Sequence, residues 1–66
     1  MTYFTAENTE GFTDVEMAML NSAHEVLAEA FPSVEEYSIG DMLNNAFNER
    51  STQSELVRIV TDRFSA

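Results

Sequence analysis

Apolar residues recur along this chain at helical rather than alternating intervals. Met17, Leu20, His24, Leu27 and Phe31 follow one another three and four positions apart, flanked by Ala23 and Ala30, the spacing of one buried stripe on an α-helix. Thr13 and Glu16 stand at capping-box separation, with Phe12 and Met17 placed as a hydrophobic staple. The pattern predicts a first helix over residues 14–31. Pro32 stops it, because the residue before a proline is driven out of helical conformation.

A second periodic stretch follows. Ile39, Met42, Leu43, Ala46 and Phe47 fit the helix template, with Gly40, Asn44, Asn45 and Asn48 on the opposite face. Two starts compete, Ser33 with Glu36 and Ser38 with Asp41. The second makes Tyr37 and Met42 a staple pair. The reading is a helical turn at 33–37 and a helix over 39–49 capped by Ser38. Thr52 and Glu55 repeat the capping-box spacing and open a third helix over 53–64. Its apolar side carries Leu56, Val57, Ile59, Val60 and Phe64, with Arg58 and Arg63 outside. Residues 1–12 lack periodicity, but Tyr3, Phe4 and Phe12 are heavy enough to hold this arm against the helices. The expected fold is all-α, a small three-helix bundle with an irregular N-terminal arm, as one domain over residues 1–66.

Composition narrows what such a bundle can do. A chain of 66 residues buries only about 60% of the surface it exposes when unfolded, and with no Cys no disulfide supplements that core. No apolar run approaches membrane-spanning length, and no basic segment followed by an apolar one opens the chain. The expected location is therefore the cytoplasm of the host cell, without membrane association.

Catalysis is not expected. Nucleophilic chemistry needs a nucleophile, a base and an orienting group in one cleft, whereas the single His lies inside an apolar stripe. The calcium-loop pattern is missing, so neither a metal nor another cofactor is anticipated. His24 itself reads first as a partly buried, hydrogen-bonded core residue, and second as a pH-sensitive interface contact. Met17, Met19 and Met42 read first as core filler and second as an adaptable binding surface, and Met19, off the main stripe, is the one to watch for exposure.

Charge changes the picture most. There are 12 acids against 3 Arg, no Lys, and a net charge of −9. Ten of the acids fall in residues 1–49, which contain no base at all, and the remaining 17 residues carry all three Arg. A rigid helix with regularly spaced carboxylates can occupy a channel that Lys and Arg line for nucleic acid. The bland alternative is a solvated face that keeps a small protein soluble. The carboxylates expected to meet a partner are Glu25 and Glu29, joined by Glu35, Glu36 and Asp41.

The opening FTAENTEGFTDVEMAMLNSA resembles the start of short open reading frames common in phages and prophages of alphaproteobacteria. The residues that carry the likeness are Phe4, Thr5, Asn8, Thr9, Glu10, Gly11, Phe12, Thr13, Leu20 and Asn21, about a third of the chain. The resemblance implies a viral or mobile-element setting, in which small acidic inhibitors of host defence, anti-CRISPR proteins among them, are frequent. Together with the charge, it suggests a non-enzymatic inhibitor that blocks the basic nucleic-acid-binding surface of a host protein and does not bind nucleic acid itself. Two alternatives remain. One is a small structural or regulatory homodimer that uses apolar area left over on the first or third helix. The other is a helix-turn-helix or antitoxin-like DNA-binding regulator with Gln53, Ser54 and Arg58 at its reading face, against which the shortage of basic residues weighs.

Overall fold

The computed structural model describes residues 3–5, 11–48 and 50–65. Within them the chain forms α1 (Asp14–Ala30), α2 (Glu36–Ala46) and α3 (Gln53–Ser65), each packed on the other two. Among the described residues there is no strand, and the architecture is a small all-α three-helix bundle.

The start of α1 follows its sequence signal. Thr13 is extended (φ −77°, ψ 165°), its hydroxyl accepts from the Glu16 N–H at 3.1 Å, and Glu16 accepts from the Thr13 N–H at 2.9 Å. Two N–H groups left over at the helix end are thereby satisfied. At the other end Phe31 is the cap rather than the last helical residue, donating its N–H to the Leu27 carbonyl at 2.9 Å just before Pro32. Leu20, Ala23, His24 and Leu27 are buried as the stripe requires. Met19, off the main stripe, is half-buried and packs on the core as a filler residue does. Since α1 touches both other helices, its buried arc is wider than one row of residues and takes in that flank.

The second helix starts earlier and ends earlier than the 39–49 read from sequence. Glu35, extended at ψ 142°, is the N-cap and makes no side-chain capping bond; its carbonyl accepts from the N–H groups of Ser38 and Ile39 at 3.0 and 3.2 Å. Ser38 thus lies inside the first turn and caps nothing. Tyr37 is 65% exposed instead of stapled inward. The turn expected at 33–37 is confined to residues 32–34, closed by the Val34 N–H on the Phe31 carbonyl at 3.1 Å. At its far end α2 stops at Ala46, and the chain turns extended at Phe47 (ψ 138°). The Phe47 ring there meets Phe12 with centroids 5.0 Å apart. The predicted end at Glu49 lies outside the described residues.

A tight turn leads into α3. The Asn48 side chain accepts from the Arg50 N–H at 2.8 Å, and the Asn48 N–H donates to the Ser51 hydroxyl at 2.9 Å. Thr52 then accepts from the Glu55 N–H at 3.2 Å, as a capping residue should. Leu56 and Val60 face the core, and Phe64 stands 5.2 Å from Phe31.

The arm is part of this core. Phe4 is only 5% exposed and joins Leu20, Ala23, Leu27, Ile39, Leu43, Leu56 and Val60. Its backbone is held at both ends by one side chain. The Phe4 N–H donates to Asn21 Oδ1 at 2.7 Å, and Asn21 Nδ2 donates to the Phe4 carbonyl at 2.9 Å. Tyr3 stacks on His24 (4.7 Å, 8° between planes), and its ring covers Gly40. Gly40 is consequently buried, not part of a polar face as its position on α2 predicts. Gly11, at φ +91°, adopts the left-handed conformation that only glycine takes without strain.

Candidate functional site

Glu25, Glu29, Glu35, Glu36 and Asp41 are all exposed. None of them has a side-chain hydrogen bond or ion pair among the described residues. Helix geometry decides how they are arranged. At 100° per residue, Asp14, Ala18, Ser22, Glu25 and Glu29 fall on one line along α1, opposite the buried stripe, and every one is exposed. Asp14 sits in the first turn, where the helix dipole favours an anion. Glu29 sits in the last turn, where the dipole opposes one, and no basic residue accompanies it. Glu25 and Glu29 also repel each other at i, i+4. Glu25 and Glu29, held in this way, gain nothing for the fold.

Glu29, Glu35 and Glu36 flank the single connection between α1 and α2. Asp41 stands apart on the helical phase of α2, on the side that carries Tyr37 and Asn44 at i−4 and i+3. Those two residues were not singled out by charge. Their shared i, i+4, i+7 spacing with Asp41 is the signal that could have found them. Together with Tyr3, Phe4 and Gly40 they line a cavity of about 160 Å³ between the arm and α2. Glu7, Glu10 and Glu49 lie outside the described residues.

A concentrated negative surface makes stability depend on ionic strength. Raising salt from about 0.01 to 0.15 M shortens the screening length roughly fourfold, and should lift the melting temperature by roughly 5 °C, the equivalent of about 1 kcal/mol in a domain of this size. Thermal melts followed by circular dichroism at the two salt concentrations check this. An unchanged or lower melting point would mean that the carboxylates are too dispersed to repel.

His24 is 5% exposed, and its Nε2 lies 2.9 Å from the Glu36 carbonyl oxygen. A carbonyl only accepts, so Nε2 carries the proton. With Tyr3 stacked on one face and Phe4 edge-on at 6.2 Å, the imidazole is a packed, bonded core group, as its place in the apolar stripe suggests. It ties α1 to the first turn of α2 and leaves no imidazole at the surface. Among the described residues no group of three or more His, Asp or Glu could hold a metal ion, and no helix is long and apolar enough to cross a membrane.

The three Arg lie on α3 and in the turn before it. Gln53, Ser54 and Arg58 are exposed on α3, where with Val26, Val57 and Thr61 they line an open groove of about 410 Å³ beside α1. Arg50 and Arg63 are exposed as well. Phe4 and Leu20 are core residues, Asn21 is the clamp on the arm, Gly11 needs its positive φ, and Thr13 caps α1. Asn8, Thr9 and Glu10 lie outside the described residues. Compared with known protein families, curated proteins and solved structures, the chain matches none.

Proposed function

We propose that this protein is a non-enzymatic acidic inhibitor of the phage type, anti-CRISPR-like in its mode of action. Its exposed carboxylates occupy the basic nucleic-acid-binding surface of a host protein. The observation that carries the reading is the line of Asp14, Glu25 and Glu29 on α1, which ends in Glu29 against the helix dipole, with no basic residue in that last turn. Solubility alone would tolerate mixed charge, whereas residues 1–49 have no Lys or Arg. The N-terminal resemblance to phage and prophage reading frames supports the same setting, the host cytoplasm.

Co-purification from host lysate at low and high salt tests this. The expected partner is a protein with a basic nucleic-acid channel, released by salt and by excess duplex. Glu25→Lys with Glu29→Lys should slow association about tenfold at low salt, because steering acts mainly on the on-rate. A partner without a basic surface, or binding indifferent to salt between about 0.05 and 0.5 M, would remove the mechanism.

A homodimer is the second reading, favoured by one observation. Val26 is 44% exposed at the rim of the α1–α3 groove. Sedimentation showing a monomer at high concentration would end it.

A further inference from the structure

We infer that the cavity between the arm and α2 is a receptor for one arginine side chain of the basic partner. The inference rests on the acidic-surface reading above and gives it a specific anchor. The walls are Tyr3, Phe4, Tyr37, Gly40, Asp41 and Asn44, and the volume is about 160 Å³, the scale of one side-chain end rather than of a drug-sized ligand. Three features of this wall select its occupant. Tyr37 and Tyr3 supply aromatic surface, and Tyr37 is 65% exposed on α2. Asp41, one turn along from Tyr37, supplies a carboxylate that has no partner among the described residues. Asn44 adds a side-chain carbonyl, an acceptor for a further N–H.

A guanidinium uses all three at once. Its flat face stacks on tyrosine, its fork meets a carboxylate through two parallel N–H bonds, and it loses less hydration than an ammonium. A lysine would satisfy the charge but neither the stacking nor the paired bonds. The net charge of −9 raises the local concentration of any cationic segment, and the cavity supplies what diffuse charge lacks, a fixed register. Gly40 belongs to the same construction, since its missing side chain lets the Tyr3 ring lie against α2 and form one wall.

The test is a titration of the full chain, followed by amide NMR, with a capped arginine-rich hexapeptide and its lysine counterpart at low salt. The expected result is saturable shifts centred on Tyr37, Asp41 and Asn44, with the arginine peptide at least about threefold tighter. Asp41→Asn and Tyr37→Leu, both at exposed positions, should each weaken it about tenfold while the circular dichroism is retained. Glu29→Gln should change it by no more than about twofold. Shifts spread equally over Glu25, Glu29, Glu36 and Asp41, with Glu29→Gln costing as much as Asp41→Asn, would overturn the receptor and leave the acidic-surface reading standing. A lysine peptide that binds as tightly would do the same. If neither peptide binds, both inferences fail together.

Discussion

Leu43→Ala leaves much of the population unfolded at room temperature in low salt. Leu43 is fully buried in the last turn of α2, and α2 has little else to hold it. It is 11 residues long, its N-cap makes no side-chain bond, and it contains Gly40, Asn44 and Asn45, none of which favours helix. Helices shorter than about 12–15 residues are marginal in isolation, so burial of Ile39 and Leu43 is what makes this segment helical. Truncating a buried Leu costs about 2–5 kcal/mol. A chain of this length has roughly 3–10 kcal/mol in total, and self-repulsion at low salt takes from that. The melting temperature should fall by at least about 10 °C, with a matching fall in the urea midpoint. Val26→Ala, at a half-exposed position on α1, should stay within about 0.5 kcal/mol of the parent. If Leu43→Ala melted within a few degrees of the parent, α2 would owe its shape to something other than this core.

Local signals explain why so much of the bundle was legible. The stripe on α1, the caps at Thr13 and Thr52 and the stop at Pro32 each depend on residues within one or two turns, and each is found where its spacing places it. The start of α2 was ambiguous because Ser33 and Ser38 both offered a hydroxyl, and the chain uses neither; the backbone carbonyl of Glu35 closes the turn instead. Met19 packs on the core from off the main stripe because α1 has two neighbouring helices, where a single stripe assumes one. What the sequence hid is non-local. Asn21 and Phe4 are 17 residues apart, and no spacing rule links an amide side chain to the backbone of an arm. The same holds for Tyr37, whose exposure reveals itself only once α2 is known to begin before it. The acidic residues were legible as a composition, and the helical phase of α1 places three of them, Asp14, Glu25 and Glu29, on one line.

Gly40→Ala is expected to change sign with its background. In the interior of a helix this exchange ordinarily stabilises by about 1 kcal/mol. Here the added Cβ would fall on the Tyr3 ring, 2.5 Å from Cζ and 2.8 Å from Cδ1. The ring has no easy retreat, since His24 is stacked on it and Phe4 stands edge-on at 5.1 Å. Accommodating the methyl therefore means lifting Tyr3, and with it the paired bonds between Phe4 and Asn21 and the burial of the Phe4 ring, worth about 1.5–3 kcal/mol by itself. The entropy regained by a released arm offsets part of that loss. The single substitution should then be destabilising by about 1–2 kcal/mol, and the Phe4 amide should lose its protection from hydrogen exchange. In a Tyr3→Ala background the obstacle is gone, and Gly40→Ala should stabilise by about 1 kcal/mol. The resulting coupling of about 2–3 kcal/mol is at the upper end for residues in contact, and four urea curves measure it. Equal stabilisation in both backgrounds would show that the arm rests on α2 without being fitted to it. The arginine receptor would then lose its Tyr3 wall, because only a fitted arm holds that ring in place before a partner arrives.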